Sequence, residues 1–489
     1  MFVRHIWHGL AVTVLLAGCA ATPPVQDIPQ INKMLADRGS PTIRPDDAGR
    51  DALLISGWLA EPMTAQRAVQ VALLRSPRLQ QEYARLGLAR ADVMEAVQIA
   101  NPRLSLSTLA LGGGSGSQFS IGIAMPLVDL LVLPTRAKLA RSAFERVKLD
   151  MAATVLSVSL DVEQDWYEYV AAQQVAQMRQ AVAAGLATNS ELAKRFFDAG
   201  NISELQLKRE EAAAVEARIA AARAQVAART ARLKLNLVIG LSGKEADWQT
   251  SDRLPLPVDR EDDPSELVRL ASNARLELLS AHRDVEILAE IAEISRSFRL
   301  IGGTEFGYER EREVDGSVIR GPSLQIELPI FNQGGARVAR ASAHLKQARA
   351  RLSELQLETD QGIRFGSERV QVLGDIVRTH RDALIPARET IVARSQQQQN
   401  FMLIGVFELI QAKAQEYDAY QAYLESIRDY WVARLDLMRV VGSRLPSELQ
   451  TPGLAPGVAE ILATKDVPID HGAHGGPEPQ PAHQHGEPK

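Results

Sequence analysis

Cysteine is almost missing from this chain. Of 489 residues, one is cysteine and 5% are aromatic. A single thiol excludes an intrachain disulfide framework and any cysteine-ligated metal cluster. So few aromatic side chains are unusual for a protein built round large compact cores. Beyond the first twenty residues there is no run of about eighteen apolar residues, so no transmembrane helix is expected. Charge of one sign is not in excess either. The formal net charge is −5 with both signs interspersed, which gives no electrostatic footprint for a nucleic-acid partner. The G-x-S-x-G, phosphate-loop and H-E-x-x-H patterns are absent, so no enzyme chemistry is expected.

What the chain has is alanine, leucine, arginine, glutamate and glutamine, the composition of long helices packed through small residues. It also has a duplication. Ala231–Gly240 (ARLKLNLVIG) and Ala433–Gly442 (ARLDLMRVVG) share six of ten positions at an offset of 202. Ile121–Asp129 aligns with Leu324–Asn332 at 203, and Phe196–Gln206 (FFDAGNISELQ) with Phe401–Gln411 (FMLIGVFELIQ) at 205. A period this long means two large related halves rather than a short solenoid repeat.

The N-terminus is a targeting segment. Arg4, His5 and His8 precede the apolar run Leu10–Leu16, too short to remain as a membrane span. Leu16-Ala17-Gly18-Cys19 resembles the bacterial lipoprotein box, which implies a signal peptide over 1–18 and a covalent lipid on Cys19, with no other cofactor expected. Ala20 in place of aspartate implies sorting to the outer membrane. The proline-rich stretch 19–63 is expected to be an extended strap.

Periodicity orders the rest. The first repeat spans 64–240: Thr64 caps a helix, Pro77 opens a second, and the pattern stops before Asn101-Pro102. Strict alternation then predicts a β-hairpin over 103–126, with Gly112–Ser117 as its turn. Long helices are expected over 137–238, broken at Gly200-Asn201-Ile202-Ser203. A linker or belt follows at 241–263. The second repeat, 264–442, has a hairpin over 298–329 with the charged loop Glu309–Gly316, then long helices over 335–441 with a kink at Pro386 and a break at Gly405. Glycine at 200 and 405 suits left-handed helix C-caps. The tail 443–489 reads as disordered.

The hairpin strands approach the 9–11 residues of a tilted membrane strand, and apolar positions alternate with small polar ones. Four strands cannot close a barrel, and open edges in lipid are costly, so membrane insertion demands several copies. Two copies would make an eight-stranded barrel filled by side chains; three give twelve strands and a conduit. In this order, the duplicated segments resemble the TolC-like outer membrane efflux proteins. The residues that carry the resemblance are Asn101-Pro102-Arg103-Leu104, Met125-Pro126-Leu127, Leu328-Pro329-Ile330 and Ala199-Gly200-Asn201-Ile202-Ser203-Glu204-Leu205.

That resemblance implies a mainly α fold with a small β part. It would be a homotrimer whose twelve-stranded barrel lies in the outer membrane lipid and whose long-helix α-barrel crosses the periplasm. Such a trimer is an exit duct for toxic compounds or metal ions, served by a periplasmic adaptor protein and an inner-membrane pump. It places Gly200, Ser203 and Gly405 at the periplasmic tip that contacts the adaptor. Some members close the tip with an acidic ring beyond the second glycine; here the matching positions are Gln411 and Ala414, so Glu408 and Gln411 are the gate candidates. His471, His474, His483 and His485 in the tail are candidate metal ligands. A competing reading is a lipid-anchored periplasmic coiled-coil scaffold, which accounts for the rods and Cys19 but not for the hairpins.

Overall fold

The computed structural model describes residues 27–44, 48–110, 117–250, 253–300, 303–449 and 453–463. Within them, α1 (Asp27–Ala36), α2 (Ala48–Leu59), α3 (Ala65–Arg75) and α4 (Pro77–Val97) lead into β1 (Arg103–Ala110) and β2 (Ser117–Pro126). Two long helices follow, α5 (Leu127–Asp198) and α6 (Glu204–Ile239). The second half repeats the order: α7 (Pro264–Ala274), α8 (Leu276–Ser297), β3 (Thr304–Arg312), β4 (Val318–Ile326), α9 (Gly335–Thr379), α10 (Ile385–Asn400) and α11 (Val406–Val441). A short helix, α12 (Val458–Leu462), ends the described chain. The expected class holds: mainly helical, with one small antiparallel sheet.

Local chemistry sets the starts of these helices. Thr64 Oγ1 accepts from the Arg67 amide at 3.3 Å, and Asp263 Oδ1 from the Ser265 amide at 2.7 Å, capping α3 and α7. Helix α5 has 72 residues, roughly 110 Å at 1.5 Å each. It begins ten residues before the expected 137 and runs through Pro134. Pro134 is exposed, so water can serve the carbonyl that loses its helical donor. At Pro386 the interruption takes the form of a π-turn, His380–Leu384, immediately before α10. The widened turn accommodates the missing N–H without ending the rod.

The core lies at mid-length of the rods, where most of the tyrosines and tryptophans gather. Tyr167 stacks on Trp431 at 5.4 Å, and Trp248 meets Tyr169 edge-on at 5.3 Å. Each buried indole N–H is satisfied: Trp166 donates to Met63 O, Trp248 to Asn236 Oδ1 and Trp431 to Pro255 O. Two of these acceptors belong to the segments that wrap the rods.

Four expectations are corrected. The described part of the 19–63 strap is not extended but carries α1 and α2. Ile31 and Leu35, one helical turn apart, are fully buried, while Pro29 sits in the first turn of α1, where no backbone donor is needed. The described parts of the tail expected to be disordered, 443–449 and 453–463, are packed: Ala455 N donates to Leu254 O at 2.8 Å, and Leu445, Ala455, Val458 and Ile461 are buried. Phe298 and Leu300 belong to no strand, because α8 runs to Ser297 and the hairpin begins at Thr304. Half of the charged segment Glu309–Gly316 is strand, since β3 continues through Arg312 and leaves only 313–317 as the connection.

Candidate functional site

The two hairpins join into one sheet in the order β1-β2-β3-β4, all antiparallel. The register pairs Leu104 with Ile123, Leu106 with Ile121, Ile123 with Tyr308, Met125 with Phe306 and Phe306 with Leu324. Paired residues share a face, so these form one continuous apolar surface, and most of them are exposed. The opposite face carries Ser105, Ser107, Ser120, Gly122, Gly307 and Ser323, with Arg103 paired to Glu305. Ser107 and Ser120 share a hydrogen bond of 2.8 Å. Side chains crowd on this face: a Cβ on Gly122 would lie 2.7 Å from Ser105 Oγ, and one on Gly307 2.7 Å from Ser323 Oγ. Crowding of this kind suits the inner wall of a curved sheet, with the apolar face outward.

The far ends of the rods form two five-residue turns, 199–203 and 401–405. In the first, Gly200 holds φ +75°, Asn201 N donates to Phe196 O, and Gly200 N to Phe197 O. Ser203 Oγ then accepts from Gln206 N at 3.2 Å, capping α6 as expected of an N-cap serine. The second turn has the same hydrogen bonds, from Leu403 N to Gln398 O and from Met402 N to Gln399 O. Its left-handed residue is therefore Met402, at φ 58°, and not Gly405. Gly405 is extended (φ −77°, ψ 157°) and occupies the N-cap position of α11. The left-handed cap expected at Gly405 is thus corrected. By backbone role, Gly200 matches Met402 and Ser203 matches Gly405, an offset of 202 instead of the 205 that letter identity gave. Helices α6 and α11 are also equal in length, at 36 residues each.

Phe196 and Phe407 meet edge-on at 6.1 Å and tie the two turns together. Phe401, Met402 and Leu403 are exposed, Met402 by 93%, whereas the first turn presents Ala199, Gly200 and Asn201. Glu408 and Gln411, the gate candidates, lie exposed in the first two turns of α11. Cys19, His471, His474, His483 and His485 fall outside the described residues. Among the described residues no group of three His, Cys, Asp or Glu side chains is arranged to hold a metal. No helix among them is long and apolar enough to cross a membrane.

Residues that periodicity does not reveal lock the halves together. Arg136 donates to Ala96 O and Gln98 O, and Arg337 to Phe298 O and Arg299 O, so in each half an arginine holds the end of the helix that enters the sheet. Their spacing of 201 is the only sequence signal. Fully buried Arg434 bonds Glu261 Oε2 and Ser447 Oγ, pinning the linker and the C-terminal segment to α11. Burial pushes the neighbouring Tyr430 phenol above its ordinary range. Burial likewise raises the Asp165 carboxyl despite its contact with Lys234 at 2.8 Å.

Laterally, the rods form an open layer. α6 packs on α5, α5 on α11, and α11 on α9 and α10. Both outer helices expose apolar stripes: Val215, Ile219, Val226, Leu233 and Leu237 on α6, and Leu357, Phe365, Val372 and Ile376 on α9. On α6 the intervals are four and seven residues, those of a coiled-coil seam, and on α9 they are eight, seven and four. The sheet is open in the same way, at β1 and β4.

No family model matches the chain, and no curated protein matches it in sequence. Solved structures do. The Campylobacter jejuni CmeC outer membrane channel has a TM-score of 0.67 at 12% identity, over 86% of this chain and 93% of that one. The outer membrane protein VceC of Vibrio cholerae has 0.63 at 14%, over 78% and 96%. The open state of the Neisseria gonorrhoeae MtrE outer membrane channel has 0.62 at 15%, over 79% and 91%.

Proposed function

Because this chain has the fold of the TolC-like outer membrane channels, we propose that it is the outer-membrane exit channel of a tripartite efflux system. The observation that carries the reading is the pair of open edges. One half of the chain supplies β1 and α6, the other supplies β4 and α9, so the two edges differ. Unlike edges join head to tail, and a head-to-tail contact whose rotation closes makes a ring. Three copies bring twelve strands, wide enough for a water-filled lumen, and bury the stripes of α6 and α9 between protomers. The apolar face of the sheet then meets lipid and the serine- and glycine-rich face lines the lumen.

In this reading the duct is passive. A lipid on Cys19 anchors it to the outer membrane, and the turns at Gly200–Ser203 and at Gly405 meet a periplasmic adaptor that links it to an inner-membrane pump. The second turn offers an apolar surface for that contact, and the left-handed Met402 holds strain of the kind found at switching sites. Opening would repack the start of α11, where Glu408 and Gln411 lie. Toxic compounds are the cargo class, and metal ions join it if the four tail histidines bind them.

Planar-bilayer recording of the purified full chain tests the duct: discrete conductance steps from a trimeric species are expected. A monomer that stays in solution without lipid and never conducts would leave the scaffold reading instead. Comparing metal and dye sensitivity of a deletion strain assigns the cargo.

A further inference from the structure

The second hairpin contains Glu309-Arg310-Glu311-Arg312, and β3 runs through all four. Alternation along the strand sorts these charges by face. Glu309 and Glu311 fall with Glu305 on the small, polar face, while Arg310 and Arg312 fall on the apolar one. Arg310 stands directly opposite Arg320 of β4, and Arg312 opposite Val318. On the other side their partners are Ile121 and Phe119. All three arginines are exposed, and among the described residues none makes an ion pair or a side-chain hydrogen bond. The first hairpin has no such cluster, with Leu106, Ile121, Thr108 and Phe119 in the same cross-strand rows.

Like charges placed opposite each other on one sheet face destabilise it unless a counter-charge arrives from outside. The location indicates what that counter-charge is. Arg310 and Arg312 lie four and six residues beyond Phe306, about 13 and 20 Å along the strand, toward the end remote from the helices. The apolar band below them continues through Leu324 and Ile326 to the fully exposed Phe331 near the helices. On the channel reading, on which this inference rests, the band occupies the hydrocarbon and the arginines stand at the outer headgroup level.

We propose that Arg310, Arg312 and Arg320 bind phosphate groups of outer-leaflet lipid, making three anionic-lipid sites around the trimer. The planar guanidinium fork engages phosphate oxygens in pairs, and two forks opposite each other can share one phosphomonoester. The cluster would fix the depth and rotation of the barrel in an asymmetric membrane.

The test is native mass spectrometry of the full-length trimer in detergent, titrated with phosphatidic acid or with phosphatidylcholine. Retention of phosphatidic acid over phosphatidylcholine is expected. The variant carrying Arg310→Gln, Arg312→Gln and Arg320→Gln should bind phosphatidic acid about a hundredfold more weakly, at about fivefold per arginine. The corresponding lysine substitutions, which keep the charge, should retain most of the affinity. Equal binding by the glutamine variant, with trimer and conductance intact, overturns the lipid site and leaves the channel standing. Displacement by inorganic phosphate at equal concentration overturns a lipid site in favour of a free-anion site. A native chain that neither inserts nor conducts removes the channel reading and this inference with it.

Discussion

Gly442 ends α11 at φ +74°, and a Cβ there would lie 2.7 Å from Arg275 Cα. Gly200 has almost the same φ, +75°, with open space around it. The contrast separates backbone strain from collision. Gly200→Ala should lose about 1 kcal/mol, and Gly442→Ala about 3 kcal/mol, because the second adds a backbone clash to the left-handed penalty. Urea midpoints of the two variants check this. Asp165 is a second case where one side chain decides. Its carboxyl is buried and raised, while Lys234, half exposed, is itself raised first by its hydrogen bond to Asp165. The two shifts disagree on whether the pair is favourable; desolvation of the carboxylate outweighs the attraction of a lysine that water also reaches. A carboxyl raised by folding adds stability below its unfolded pKa and loses it as pH rises through the folded value. Lys234→Met removes the partner, so it should cost about 1–3 kcal/mol at neutral pH and progressively less as acid protonates Asp165. Thermal melts at neutral and mildly acid pH should show the gap between native and variant closing; a gap independent of pH would sink the argument.

At the scale of elements, periodicity was a good guide where a segment has one solvent face. The switch from a helical period to strict alternation near Asn101 marks β1, and the second switch comes six residues before β3 begins. Tips were harder. Letter identity aligned Gly200 with Gly405, yet the backbone aligns Gly200 with Met402, because glycine serves equally at a left-handed C-cap and at an extended N-cap. The described parts of 27–63 and 443–463 escape local pattern for another reason: they pack on distant partners such as Leu254, Arg38 and α5, which local pattern does not encode. Arg337 illustrates an element-level contact open to test. Arg337→Ala removes donors to Phe298 O (3.1 Å) and Arg299 O (3.2 Å), and should cost about 1–2 kcal/mol. Faster hydrogen exchange near Arg299, with the rods unaffected, is the expected signature.

For the whole molecule, the open layer is what matters. On the proposed channel reading, neighbouring copies cover the exposed apolar side chains of α6 and α9. Leu233 is 69% exposed within the α6 stripe. Leu233→Asp should leave helix content by circular dichroism unchanged and abolish the trimer on native gels, since a carboxylate buried in an apolar seam costs several kcal/mol per protomer. A variant that still trimerises would place the interface elsewhere and remove the argument from the open edges.

The amino-acid order by itself determined the duplication, the alternation of helix, hairpin and long rods, and the two-faced strands. Each of these depends on spacing along one element, and spacing is written in the chain. Only the tertiary structure decided that the two hairpins share one sheet, that Glu309 and Arg310 part to opposite faces, and that Met402 holds the left-handed turn. Those outcomes depend on which distant backbone pairs with which, and on what a turn must do to return a helix alongside its neighbour.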